Sequence, residues 1–96
     1  MSSQPSFAEQ KLTVYRGRYD EASQIVDALR TRRRNLLNAI VTDDLDGKDT
    51  TLDSRRLQQT DDELDLAQVN ESAAWFALRS EERRDHPTHQ PREARR

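Results

Sequence analysis

Apolar residues in the first half of the chain recur at alternating intervals of four and three positions. The series is Ala8, Leu12, Tyr15, Tyr19, Ala22, Val26, Leu29, Arg33, Leu36 and Ile40, in which Arg33 is the charged exception. This heptad spacing is typical of a helix that packs lengthwise on another helix. Ser6 and Glu9 match a capping box, and Gly47 can adopt the left-handed conformation that ends a helix. The pattern therefore predicts a first helix over about residues 6–43.

The second half of the chain carries two apolar series. The first continues the heptad spacing and consists of Leu57, Leu64, Ala67, Glu71, Ala74 or Trp75, and Leu78. The second consists of Leu66, Val69, Ala73, Phe76 and Ala77. The two series lie about 200° apart around a helix axis, so they occupy different faces. Because Thr50, Thr51 and Asp53 are suitable N-caps, we expect a second helix over about residues 53–84.

Two details concern where these helices begin and bend. A second capping-box sequence over residues 60–63 leaves open whether residues 53–59 form a separate short turn. Gly17, inside the first helix, indicates either a kink or a close approach of another backbone. The remaining segments are an acidic loop at about 44–52, a flexible N-terminus at 1–5 and a flexible basic tail at 85–96.

The charges favour folding the second helix back on the first. Residues 1–42 carry seven basic and four acidic side chains, whereas residues 43–78 carry three and ten. In a hairpin that turns near Gly47, Leu29 would face Leu66 and a run of arginines would face a run of acids. The register ion pairs that we expect involve Arg30, Arg33, Arg34, Asp61, Asp62 and Asp65. We therefore predict an all-α fold, an antiparallel two-helix hairpin that resembles a coiled coil.

Composition limits the core that such a hairpin can have. Only 32% of the 96 residues are hydrophobic, while 35% are charged and the formal net charge is −2. A two-helix hairpin buries one seam and leaves the second apolar series of helix 2 exposed. We therefore expect the fold to be completed by self-association or by docking on a partner, with a four-helix bundle of two hairpins as the simplest closed form.

Several classes of site are excluded or disfavoured by the residues present. The chain has no cysteine, which excludes disulfides, thiolate metal sites and cysteine nucleophiles. It has no apolar run of transmembrane length and no signal-peptide pattern. We expect a protein that is neither secreted nor transmembrane, located in the cytoplasm or inside an assembled particle. We find no set of catalytic side chains, and we expect no enzymatic activity, no cofactor, no membrane contact and no small-molecule substrate.

Trp75 and Phe76 provide the largest aromatic surface in the chain. Because neighbouring helix residues diverge by about 100°, we expect one of the two to face the first helix and the other a partner. The predicted interface consists of Trp75, Phe76, Leu66, Val69, Ala73 and Leu78. This surface favours a non-catalytic interaction or assembly role, such as an adaptor, a chaperone, an inhibitor or a virion component. The partner would be another protein or, as we expect, a further copy of the chain in a homo-oligomer.

The arginines suggest an alternative, a nucleic-acid-associated hairpin. Arg32 and Arg34 in the arginine run, together with Arg95 and Arg96 in the tail, have the chemistry of phosphate contacts. The net charge of −2 opposes this function, because nucleic-acid-binding domains usually carry a basic excess. We therefore favour a protein partner over nucleic acid.

The centre of the chain, residues 42–53, contains five aspartates around one glycine. Aligned on that glycine, Asp44, Asp46 and Asp53 fall at oxygen-ligand positions of a calcium-binding loop, and the segment resembles an EF-hand loop in part. Thr42 stands where that loop has aspartate, and Asp53 where it has glutamate, so we favour a solvated turn between helices. The acidic tip also resembles, in shape and charge, the tips that Gre-type transcription factors present to a polymerase channel. That resemblance implies a transcription-modulating role as a further alternative.

Overall fold

Two long α-helices make up the part of the chain that the structure describes. The computed structural model describes residues 6–85, with helix α1 at Phe7–Leu45 and helix α2 at Thr51–Asp85. The helices pack on each other and no strand occurs within the described range, so the predicted all-α two-helix hairpin is confirmed. Apart from Asp85, the termini expected to be flexible lie outside the described residues.

Helix α1 starts at the predicted capping box and continues without interruption through Gly17. Ser6 Oγ accepts a hydrogen bond from the Glu9 N–H at 3.1 Å, and Glu9 Oε1 accepts one from the Ser6 N–H at 2.9 Å. A Cβ added at Gly17 would meet no atom within 4 Å. Of the two alternatives for Gly17, the close approach of another backbone is therefore wrong within this hairpin.

Helix α1 ends in a Schellman motif formed around Gly47. Gly47 has φ 76°, in the left-handed region, as the sequence predicts. Its N–H donates to the Asp44 carbonyl at 3.1 Å, and the Lys48 N–H donates to the Asp43 carbonyl at 2.8 Å. These two bonds satisfy the last carbonyls of the helix, which is why α1 stops at Leu45. The helix extends about two residues further than the sequence pattern predicts.

Helix α2 begins immediately after this turn. Asp49 Oδ1 accepts hydrogen bonds from the Thr51 N–H at 3.0 Å and from the Thr51 hydroxyl at 2.6 Å. The Thr50 carbonyl then accepts the first helical bond, from the Ser54 N–H at 2.9 Å. Residues 53–59 are part of α2, which settles the open alternative of a separate turn. The connection comprises residues 46–50 and is shorter than the expected 44–52.

The seam between the helices keeps heptad spacing on both sides. On α1 it is formed by Ala8, Leu12, Tyr15, Tyr19, Ala22, Val26, Leu29, Leu36 and Ile40. On α2 it is formed by Leu57, Thr60, Leu64, Ala67, Glu71, Ala74, Leu78 and Glu81. Val26 has 0% exposure and is the most deeply buried side chain of the described residues. Several α2 seam positions are polar, so the hydrophobic contribution of the seam is thin.

Polar contacts between the helices determine how they align. Ser23 Oγ donates to Glu71 Oε2 at 2.8 Å near the middle of the seam. Nearer the open end of the hairpin, Lys11 Nζ lies 3.4 Å from Glu81 Oε2. A helix shifted by one turn would leave these half-buried or buried polar groups without partners, which costs more than the bonds themselves contribute. The pairs therefore specify the register.

The expected facing of Leu29 and Leu66 is wrong, although the antiparallel direction is right. Leu66 is 64% exposed and points away from α1. The α2 residues that enter the seam at this level are Leu64 and Ala67. The error arose because counting back from the turn fixes the level along the axis but not the rotation of the helix about that axis.

Candidate interaction surface

Four apolar side chains line the face of α2 that points away from α1. Leu66, Val69 and Phe76 are 64%, 63% and 64% exposed, and Ala73 is exposed as well. They follow one another at intervals of three, four and three residues, so they share one face of the helix. We call these four residues the outer stripe.

Helical geometry explains why the outer stripe cannot contact α1. Each of its members lies between two seam residues in the sequence, as Leu66 lies between Leu64 and Ala67. At about 100° per residue, a position two residues beyond a seam residue lies about 200° around the axis. Helix α2 therefore has two heptad stripes on opposite faces, and the hairpin can cover only one of them.

The aromatic pair is placed differently from the prediction. Both Trp75 and Phe76 are exposed, at 47% and 64%, and the half-buried seam residue at this level is Ala74. Trp75 lies at the edge of the seam, where the Arg79 guanidinium stands 5.5 Å from its ring centroid. Leu78, assigned to the interface from the sequence, is only 8% exposed and belongs to the seam, because it continues the inward-facing heptad series.

Opposite charges border the two ends of the outer stripe. Four acidic residues lie at its N-terminal end, namely Asp61, Asp62, Glu63 and Asp65, and Arg79, Arg83 and Arg84 lie at its C-terminal end. Asp65 and Arg83 form no ion pair with any other side chain of residues 6–84. Arg79 Nη1 lies 3.3 Å from Glu82 Oε1 on its own helix, and its side chain remains 53% exposed. Both ends of the stripe thus present charge to solvent.

The arginine run is partly neutralised by α2. Arg33 Nε donates to Asp61 Oδ1 at 2.7 Å, and Arg32 Nη1 donates to Glu63 Oε1 at 3.3 Å. These contacts engage two of the run's arginines inside the hairpin, including Arg32, which the nucleic-acid alternative assigns to phosphate. The tail residues of that alternative, Arg95 and Arg96, lie outside the described range.

The other expected register residues do not bridge the helices. Arg30 pairs with Asp27 on its own helix at 3.9 Å, and Asp62 accepts a hydrogen bond from Gln58 on its own helix at 3.3 Å. Arg34 and Asp65 make no ion pair within the described hairpin. The reason is rotational, because Arg34 follows Arg33 by about 100° and is turned away from the seam.

The acidic turn has no metal-binding geometry within the described residues. No group of three or more His, Asp or Glu side chains there is arranged to hold an ion. Asp44 and Asp46 are exposed, and Asp53 lies 3.9 Å from Arg56 on its own helix. Asp49 has a different function, because hydrogen bonds from the Thr51 hydroxyl and N–H lower the pKa of its carboxyl below the usual 3.8. It caps α2 instead of contributing to a ligand set.

Sequence reasoning missed three polar residues that matter to the hairpin. Thr60 and Glu81 are buried, at 2% and 4% exposure, and Asp49 caps α2. Both buried residues continue the three-and-four spacing of the α2 seam. The heptad spacing marks both positions, but a polar residue in such a series lacks the apolar character by which the series is recognised.

Comparison with known proteins provides no relative from which a function could be transferred. No protein-family model matches the chain, and neither curated proteins nor solved structures gave a significant match. Within residues 6–85, neither helix has an apolar stretch sufficient to cross a lipid bilayer. The functional argument therefore depends on the geometry and charge of the described surface.

Proposed function

We propose that the protein is a non-catalytic protein–protein interaction or assembly module that acts through the outer stripe of α2. The observation that carries this proposal is the heptad-spaced apolar face opposite the seam, on which Leu66, Val69 and Phe76 are more than half exposed. Heptad spacing is the pattern of a surface that packs on another helix. The stripe supplies this pattern where the hairpin itself has no helix to cover it.

Burial of the outer stripe would provide a large share of the stability of a complex. Apolar surface contributes about 25 cal/mol per Å² when it is removed from water. Phe76 and the neighbouring Trp75 are side chains of the kind that dominate binding energies at interfaces. A partner that binds only the folded hairpin would also raise its apparent stability by mass action.

A photo-reactive amino acid at Val69 tests this proposal. Position 69 lies in the outer stripe, and Val41 on α1 is a matched control, since the two valines are 63% and 59% exposed. We expect a discrete cross-linked adduct from position 69 and not from position 41, in cells that produce the protein. The adduct should disappear when Phe76→Ala is added, with helicity retained by circular dichroism.

The mass of the cross-linked adduct identifies the kind of partner. A product of twice the chain mass indicates a further copy, and another discrete mass indicates a different protein. Equal labelling from positions 69 and 41, or an adduct that Phe76→Ala leaves unchanged, would refute the use of this surface.

A further inference from the structure

We infer that the outer stripe is covered by a second copy of this chain, with the two α2 helices packed antiparallel about a two-fold axis. This inference rests on the proposed function and names its partner. Two observations support it. The apolar side chains of the outer stripe match those of a second copy, and the two ends of the stripe carry opposite charges. Each is a property of α2 alone, so the same surface supplies both halves of the interface.

The apolar side chains match when two copies of α2 run in opposite directions. With Leu66 opposite Phe76 of the second copy, Val69 falls opposite Ala73 of the second copy, and the same contacts repeat across the axis. The two inner layers combine Val69 with the small Ala73, and the two outer layers combine Leu66 with Phe76. This register has four apolar layers, and moving one helix by a heptad leaves only two, so this register maximises apolar contact.

The charges select the antiparallel direction. In this register Asp65 lies beside Arg79 of the second copy, on the flank of the stripe. Asp65 has no ion pair within the described hairpin. Arg79 contacts Glu82 and the Trp75 ring on its own helix, but its side chain is 53% exposed and its guanidinium has further N–H donors for a second carboxylate. In a parallel pair, Asp62 would instead lie opposite Asp62 of the second copy, in the middle of the interface. Arg79 would lie beside Arg84 of the second copy. Like charges at such positions oppose association.

One contact at the ends of the interface is unfavourable. Arg56 lies at the same level as Arg84 of the second copy. Each of these arginines already has an acidic partner three residues before it on its own helix, Asp53 at 3.9 Å and Glu81 at 3.3 Å. Their side chains are 60% and 68% exposed, so water and salt screen the repulsion.

The arrangement differs from a closed four-helix bundle. Because the seam and the outer stripe are about 200° apart, the four helices lie in a row, with α1 at each edge and the two α2 helices in the middle. The overlap of the α2 helices extends over about 40 Å at 1.5 Å per residue. The dimer therefore has the form of a flat helical layer.

Charge reversal tests the direction of packing. Asp65→Arg and Arg79→Asp each create two repulsive contacts in the antiparallel dimer, and we expect each to raise the dissociation constant about two- to thirtyfold. The double variant Asp65→Arg/Arg79→Asp, and an equimolar mixture of the two single variants, restore both attractions and should recover wild-type association. Asp20→Arg and Arg16→Asp, exposed on α1, are controls that should change little. Sedimentation equilibrium over a range of concentrations measures all of these.

Cysteine pairing provides a second measurement that leaves the charges unchanged. The chain has no cysteine of its own, so Val69→Cys and Ala73→Cys introduce single thiols. An equimolar mixture should oxidise mainly to the mixed disulfide if the helices are antiparallel. A predominance of the two same-residue disulfides would show parallel packing and overturn the inference.

The outcomes separate this inference from the proposed function. If the chain is monomeric at all concentrations while position 69 cross-links to a different protein, the second copy is excluded and the interaction role stands. If the chain is monomeric and position 69 gives no specific adduct, both fail. If the chain dimerises but neither single charge reversal weakens it, the antiparallel register is wrong.

Discussion

Val26 is the side chain on which the interhelical seam depends most, and its truncation has a calculable effect. It has 0% exposure in the middle of α1. Val26→Ala removes two methyl groups, worth about 1.6 kcal/mol of transfer free energy at about 0.8 kcal/mol each. A residual cavity adds about 0.5 kcal/mol, while the better helix propensity of alanine returns a similar amount. We expect the free energy of unfolding to fall by about 1.5–2 kcal/mol.

Val41→Ala is the matched control on the same helix. Val41 is 59% exposed, so its truncation loses less than half of the transfer free energy and creates no closed cavity. The gain in helix propensity offsets most of that loss, and we expect a change near zero. Neither substitution touches the outer stripe, so self-association affects both variants equally.

Thermal and urea unfolding followed by far-ultraviolet circular dichroism measure the difference. A difference of about 1.5 kcal/mol corresponds to a melting temperature lower by about 6–12 °C in a domain of this size. The urea midpoint should fall with an unchanged slope. Equal stability of the two variants would show that Val26 does not lie between the helices, and the seam would have to be reassigned.

Further predictions concern the caps, the glycines and the buried charge. Gly17→Ala should stabilise the hairpin by about 0.5–1 kcal/mol, because an added methyl group there meets no other atom. Gly47→Ala should destabilise it by about 1–2 kcal/mol, because φ is 76° at that position. Urea unfolding should therefore show changes of opposite sign in the free energy of unfolding. Glu81→Ala should lower the free energy of unfolding by about 1–2 kcal/mol, because it removes the buried partner of Lys11. The double variant Lys11→Met/Glu81→Leu should recover much of that stability. Full stability of the single variant would show that Glu81 does not stabilise the seam. Asp49→Ala should lower the melting temperature at neutral pH. The pKa of Asp49 is lowered on folding, so the difference in melting temperature should vanish as the pH falls below 3.8 and through the folded pKa. A difference that persists in acid would exclude stabilisation by the charged Asp49 carboxylate.

Much of the fold was predictable because local signals agreed with each other. The capping box at Ser6 and Glu9 and the left-handed Gly47 mark the two ends of α1, and both depend only on neighbouring residues. The apolar heptad of α1 identifies its inward face without reference to any partner. The start of α2 was harder to predict because Thr50, Thr51 and Asp53 are all suitable caps. The helix starts directly after Thr50, whose carbonyl accepts the first helical bond, and Asp49 bonds to Thr51.

The candidate surface was predicted in part. The residues of the outer stripe form a regular series in the sequence, so their common face followed from helical geometry. The rotation of α2 did not follow, because the heptad series placed Leu64 and Ala67 in the seam whereas counting back from the turn placed Leu66 opposite Leu29. Trp75 was an ambiguous seam residue, and Leu78 was assigned to the interface although it belongs to the seam.

The sequence by itself determined the local elements, namely two amphipathic helices, their caps and a glycine turn, because each depends on interactions within a few residues along the chain. Only the tertiary structure decided the rotation of α2 about its axis. That rotation depends on which side chains fit against α1, including the bond of Ser23 to Glu71 and the buried Glu81 near Lys11. Those contacts join residues far apart in sequence, and they leave Leu66, Val69 and Phe76 on the outside.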